Sequence, residues 1–345
     1  MNQWSIIFWK ARMSINFQIL GEPGRDNSLY IQVDSGQAFE RILFDCGENT
    51  LGTLPISEIK EIDHLFFSHL HMDHIGGFDT FFRCNYARDT KLNQIWGPPG
   101  TADIIQNRFR GFLWNLHDQM NSSWNVSDVH SNEVHSFRYE LNEAFEVVHK
   151  EKIKNIEQFV FQGQGYTVEC AIMNHRTPTL AYIVKEKPKY NIDLSLLESL
   201  GLRPGPWLKQ IKEPSNNSDN IKINNKNYPL EELRQKLLVK TPGDSIAYLT
   251  DFLLEEDDIT QLAEKLEGCK TVICEGQYRQ SDYQLAKKNY HMTTVLSAKL
   301  AKKCNVEKLI LFHLSDRYRH EDWIQMLNEA REFFPGTTFP DHWKF

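Results

Sequence analysis

Short apolar runs, each broken by Gly, Pro, Asp or Asn, recur along this chain and predict a fold rich in strands. Residues 15–45 read as strand, loop, strand, strand. The loop is Gly21-Glu22-Pro23-Gly24-Arg25-Asp26-Asn27, and Ile42-Leu43-Phe44 leads into Asp45-Cys46-Gly47-Glu48. Residues 63–68 form another short strand, and Ile75-Gly76-Gly77-Phe78 predicts a tight turn into a helix, where glycine permits close backbone approach. Trp96-Gly97-Pro98-Pro99-Gly100-Thr101 is a strand exit with a helix starting near Ala102. Residues 115–135, rich in Asn, Ser, Asp and His, read as loop, whereas residues 145–148 and 166–172 alternate like strands. Residues 245–251, 270–275 and 309–313 are apolar runs that each end in a polar group, and residues 293–303 have helical periodicity.

The segment 185–240 departs from this pattern. Residues 185–212 hold six basic side chains (Lys185, Lys187, Lys189, Arg203, Lys209, Lys212) against three acidic ones (Glu186, Asp193, Glu198). That is a balance of +3 within a chain of 345 residues whose net charge is −7. The segment reads as an excursion from the main domain; on charge alone, solvated surface lysines explain it. The overall negative charge argues against a protein that coats nucleic acid nonspecifically. Six scattered cysteines without a Cys-x-x-Cys pair fit an intracellular, reduced protein, and the expected compartment is the cytoplasm. No run has the length of a membrane span. Residues 1–13 read as an N-terminal extension, with Met13 an alternative start, and residues 14–345 as the folded domain.

The densest chemistry lies in Ser68-His69-Leu70-His71-Met72-Asp73-His74-Ile75-Gly76-Gly77. Imidazoles and a carboxylate are what zinc and similar borderline metals bind, and a strand end opening on a crevice is where such chemistry sits. Residues two apart on an extended segment point the same way, so His69 and His71 can grip one metal. Asp73 and His74 follow where the chain turns and can aim at a second. Three strand ends supply the remainder: His175, Asp251 and His313. Taken singly, each is a structural histidine or a capping aspartate. Taken with the loop, they complete a two-metal set: His69, His71 and His175 on one ion, Asp73, His74 and His313 on the other, and Asp251 between them. Two such ions can activate a water and clamp a displacement at phosphorus. Zinc is the expected metal, with manganese or iron also accepted by these donors.

This order of residues resembles the metallo-β-lactamase superfamily and, within it, the ribonuclease Z family of tRNA 3′-processing endonucleases. Phe44-Asp45-Cys46-Gly47-Glu48-Asn49-Thr50, residues 68–77, His175-Arg176-Thr177-Pro178-Thr179-Leu180-Ala181-Tyr182, Asp251 and His313-Leu314-Ser315-Asp316-Arg317-Tyr318 are similar to its successive motifs. The resemblance implies an α+β fold, a four-layer αββα sandwich with a protruding arm. It implies a precursor tRNA substrate, cut on the 3′ side of the discriminator nucleotide, and a homodimer. It gives Asp73 a second role as proton acceptor, and makes Glu275 and His291 a pair that assists the leaving oxygen. Without it, His291 reads as a helix cap and Glu275 as a surface acid. Gly201-Leu202-Arg203-Pro204-Gly205-Pro206 resembles the tip of the family's tRNA-gripping arm; with Lys209 it would contact phosphates rather than bases. The loop 23–27 is shorter than the family's and lacks its lysine, and Glu275 is followed by Gly276-Gln277 in place of Ala-Thr. A small-molecule hydrolase on the same fold and a noncatalytic RNA-binding protein are the rival readings.

Overall fold

A computed structural model describes residues 15–35, 38–156, 158–212 and 219–344. The expected extension 1–13 lies outside the described residues. Period-two alternation in the first strands sorts their side chains between two cores: Ile42 and Phe44 face one, Leu43 the other, and Phe66 and Leu65 divide in the same way. The first sheet runs in chain order: β1 (Ile15–Leu20), β2 (Ser28–Asp34), β3 (Phe39–Phe44), β4 (His64–Phe66), β5 (Asn93–Gly97), β6 (Ser123–Val129), β7 (Glu133–Glu140) and β8 (His149–Asn155). Strands β3 to β6 are parallel and the flanking pairs antiparallel. Helices α1 (Ile56–Lys60), α2 (Met72–Ile75), α3 (Phe78–Asn85) and α4 (Thr101–Phe109) carry the aromatic residues Phe78, Phe81, Phe82 and Phe109 into the outer core of this sheet.

The chain continues through β9 (Phe161–Gln162), β10 (Tyr166–Asn174) and β11 (Pro178–Glu186) and then enters a separate unit of residues 186–243. There, β12 (Lys189–Ile192) pairs with β15 (Leu238–Thr241), β13 (Asn220–Ile223) forms a hairpin with β14 (Lys226–Pro229), and α5 (Leu194–Ser199), α6 (Trp207–Lys212) and α7 (Leu230–Leu237) bury Leu197, Trp207, Ile211 and Leu233 in a small core of their own. The first unit resumes with β16 (Ser245–Leu249), α8 (Glu256–Leu266), β17 (Thr271–Glu275), α9 (Tyr283–Asn289), α10 (Thr294–Lys303), β18 (Lys308–Phe312), α11 (His320–Phe333) and β19 (Thr337–Thr338). Its second sheet has the order β19-β18-β17-β16-β11-β10-β9. The two sheets share one apolar core, which also takes in residues of α8, α10 and α11, so the first unit is the expected αββα arrangement.

Two expectations fail here. Residues 123–135 are not loop: most of them form the hairpin β6–β7. Trp124 and Val126 are buried, while the Ser127 and Ser136 hydroxyls pair across the strands at 2.9 Å. Polar residues at alternate positions, satisfied across the strands, masked the period. Residues 145–148 are not a strand: Phe145 has φ +59° and fills the aromatic core 4.6 Å from Phe109, while Val147 and Val148 are exposed. All six cysteines are free thiols. No helix among the described residues is long and apolar enough to cross a membrane.

Candidate active site

Strand ends of both sheets place the functional side chains. Asp45 follows β3, Ser68 and His69 follow β4, His175 follows β10, Asp251 follows β16, Glu275 closes β17 and His313 follows β18. Asp45, Asp251 and His313 turn out of the strand direction with φ of +56°, +51° and +51°. Non-glycine residues hold such angles at a cost of about 1–3 kcal/mol each, when the surroundings require them. Helix α2 is a single turn, and the Cys46 amide donates to the His74 carbonyl at 2.8 Å, which holds it on the turn after β3.

The side chains expected together are together. One nitrogen from each of His69, His71 and His175 lies within 4.8 Å of the others, and so do donor atoms of Asp73, His74, Asp251 and His313. Asp251 sits between the two groups. One of its oxygens is 3.4 Å from His74 Nε2 and 3.8 Å from His69 Nε2 and His175 Nε2, and the other is 3.5 Å from His313 Nε2. Glu275 and His291 form a third group with Asp251 and His313.

Outer hydrogen bonds set which ring nitrogens face inward. The Ser68 hydroxyl donates to Asp45 at 2.7 Å and so accepts from His69 Nδ1 at 3.1 Å, leaving His69 Nε2 as the free lone pair. His175 Nδ1 donates to the Tyr290 carbonyl at 2.8 Å, and His74 Nδ1 to Asp45 at 2.7 Å. This is the carboxylate–imidazole support that metal ligands use. His71 presents Nδ1, 3.0 Å from His69 Nε2. His74 Nε2 is fully buried without a hydrogen-bond partner, 3.4 Å from the carboxylates of both Asp73 and Asp251. A buried ring nitrogen with no hydrogen-bond partner, facing two carboxylates, is what a divalent cation would complete. The donor set therefore fits divalent metal.

The charges agree. Burial, then the neighbouring His74, holds His69 well below the usual imidazole range. Burial would raise Asp73 and Asp251, but the facing histidines outweigh it: His313 and His74 hold Asp73 well below the carboxylate range, and His313, His74 and His291 hold Asp251 there. For His291, burial pulls downward, yet Glu275 and then Asp251 raise it to about 9. Glu275 is fully buried: it accepts from the Phe252 amide at 2.8 Å and meets His291 Nδ1 at 2.9 Å, so it is no surface acid.

The residues expected to form an arm lie in the separate unit. Asp193 caps α5, and Gly201, at φ +65°, ends it: the Gly201 amide donates to Glu198 and the Leu202 amide to Leu197, a pairing that needs a left-handed residue. Arg203, Pro204 and Pro206 are exposed, Gly205 is half-buried and Lys209 lies on α6. Four further residues support the site: Asp45 and Ser68, present in the motifs but given no role there, Tyr248 (whose hydroxyl reaches Asp45 at 2.9 Å) and Asn27, which accepts the His313 amide at 3.2 Å. Asp45 alone carried a signal, as another acid at a strand end.

Residues 40–190 match the family model of the β-lactamase superfamily domain. A ribonuclease Z of Deinococcus radiodurans is 42% identical over 325 residues, covering 94% of this chain and 97% of its own. The chain belongs to the ribonuclease Z family. A ribonuclease Z of Methanocaldococcus jannaschii is 30% identical over 293 residues, 83% of this chain and 80% of that one. The crystal structure of the short form of human tRNase Z superposes with a TM-score of 0.52 at 18% identity, covering 94% and 95% of the two chains, a likeness of fold. Membership makes this chain an enzyme, a ribonuclease Z-type hydrolase on the metallo-β-lactamase fold, as its motifs led one to expect.

Proposed function

We propose that this ribonuclease Z removes the 3′ trailer of precursor tRNA by hydrolysing the phosphodiester after the discriminator nucleotide. The observation that carries the mechanism is the convergence of two donor clusters on Asp251, with the Glu275–His291 pair beside them. His69, His71 and His175 would hold one ion, Asp73, His74 and His313 the other, and Asp251 both. Two divalent ions, zinc before manganese or iron, would supply Lewis acidity at the phosphate and lower the pKa of a water. Asp73, its side chain 44% exposed, borders a cavity of about 450 Å³ and can accept the proton of the attacking water. His291, charged at neutral pH and oriented by Glu275, donates its proton to the departing 3′ oxygen of the ribose. The products are a tRNA with a 3′-hydroxyl and a trailer with a 5′-phosphate.

Residues 186–243 act in this reading as the arm that binds the tRNA body, with Arg203 and Lys209 on phosphates and residues 201–206 as its tip. The enzyme works as a homodimer in the cytoplasm.

The test is cleavage of a precursor tRNA with a 3′ trailer beside an unstructured RNA of equal length, with metal content measured by elemental analysis. Wild type cuts the precursor at the discriminator, and Asp73→Ala does not. His291→Ala keeps its metal and loses about 10²–10⁴ in turnover. Metal-loaded wild type that cuts neither RNA would move the assignment to a small-molecule hydrolase. RNA binding without metal-stimulated turnover would make it a binding protein.

A further inference from the structure

A cavity of about 600 Å³ runs along the outer face of α3, walled on its other side by the segment after α4. Tyr86 and Arg83 line the α3 side; Phe112, Leu113, Trp114 and Leu116 line the other. Leu113 is 91% exposed, Leu116 79% and Phe112 45%. Neighbouring apolar side chains this exposed mark a binding surface. The groove is built rather than collapsed. The Trp114 indole N–H donates to the Phe109 carbonyl at 2.8 Å, its ring stands 5.7 Å from Tyr86, and the Phe112 ring rests 5.8 Å from the buried Phe82.

At one end of this groove an ion pair separates it from the cavity that Asp73 borders. Asp79, on its rim, is 3.5 Å from Arg108, and Arg108 lines the smaller cavity that also holds Asp73 and the exposed Met72. Outward from Asp73 the surface offers the Met72 thioether and the Arg108 guanidinium, set among the carboxylates of Asp26, Glu48 and Asp79, and then a run of aromatic rings flanked by Arg83. Cations suit phosphates, and exposed rings suit base faces of any sequence, which is the chemistry of a single-strand groove. A protein partner would explain the leucines, but not the neighbouring pocket of Asp73.

We infer that this groove holds the 3′ trailer, the single-stranded RNA beyond the scissile phosphate, with bases stacked on Phe112 and the exposed edge of Trp114 and phosphates near Arg108 and Arg83. The inference rests on the endonuclease reading above. It makes the groove a subsite for the leaving strand, distinct from the surface that takes the tRNA body.

The experiment uses metal-loaded enzyme and precursor tRNAs that differ only in the trailer: one nucleotide, eight nucleotides, or eight abasic units. For wild type, kcat/KM for the eight-nucleotide trailer should exceed both others by about tenfold, with the difference in KM. Phe112→Ala should remove that preference, Phe112→Tyr should restore it, and the paired exposed changes Leu113→Ser and Leu116→Ser, which leave the aromatic packing in place, should reduce it. Equal kcat/KM for all three trailers in wild type, or an intact preference in Phe112→Ala, overturns the inference. So does a Leu113→Ser, Leu116→Ser variant that changes from dimer to monomer in sedimentation while keeping its preference, because a second copy then covers the groove. Failure of wild type to cut even the one-nucleotide trailer strikes the endonuclease reading instead.

Discussion

Asp45 belongs to neither donor cluster, yet it holds one of them in place. Its two oxygens accept from the Ser68 amide and hydroxyl, each at 2.7 Å, and from the Tyr248 hydroxyl at 2.9 Å, and they face His74 Nδ1 at 2.7 Å. Asp45→Asn keeps the shape but removes the charge and sets an amide N–H₂ against one of these donors. Metal affinity is expected to fall about 10–100-fold with the fold intact, as measured by chelator competition and circular dichroism. Undiminished affinity would show that His74 needs no such support. Asp45 could be seen in the sequence only as an acid at a strand end. Its partners His74 and Tyr248 lie 29 and 203 positions away, and no local pattern links them.

Among the elements, the bend between α2 and α3 decides the most. The Gly77 amide donates to the Cys46 carbonyl and the Cys46 amide to the His74 carbonyl, each at 2.8 Å, so the metal loop lies directly on the turn after β3. A Cβ on Gly77 would sit 2.3 Å from the Gly47 carbonyl oxygen. The φ of Gly77 is −84°, so space and not conformation demands glycine. Gly77→Ala should cost about 3 kcal/mol or more and weaken metal binding with it, because the same backbone contact carries His74. Urea titrations with and without metal would read both; a midpoint within error of wild type would disprove the clash. The turn and its glycines were legible from their spacing. The hairpin β6–β7 and the turn at 145–148 were not, because cross-strand serine pairing and an aromatic core overrode local polarity.

At the scale of the first unit, Glu40 ties the sheets together. It reaches from β3 to His64 Nε2 at 3.7 Å within its sheet and to the Tyr166 hydroxyl of the other sheet at 2.6 Å. Burial would raise its pKa, but His64, Tyr166 and the Gln164 amide together lower it from the ordinary 4.5. A lowered folded value means stability that is present above the unfolded pKa and lost as pH falls through the folded one. Glu40→Gln should therefore flatten the acid limb of stability against pH relative to wild type, read as the urea midpoint from neutral pH downward. Parallel curves would show that Glu40 contributes nothing to acid sensitivity.

The amino-acid sequence by itself determined the donors, their order and their places at strand ends, because each is written in a few adjacent residues: an apolar run, a His or Asp, a turn. The motifs, in that order, also carried the family. Only the tertiary structure decided that Asp251 stands between the two histidine groups, that Glu275 is buried against His291, which nitrogen each imidazole turns inward, and that an aromatic groove opens along α3. Those facts depend on contacts between distant segments, set by strand register and by two sheets closing on one core, and hydrophobic periodicity encodes which face is buried but not what it meets.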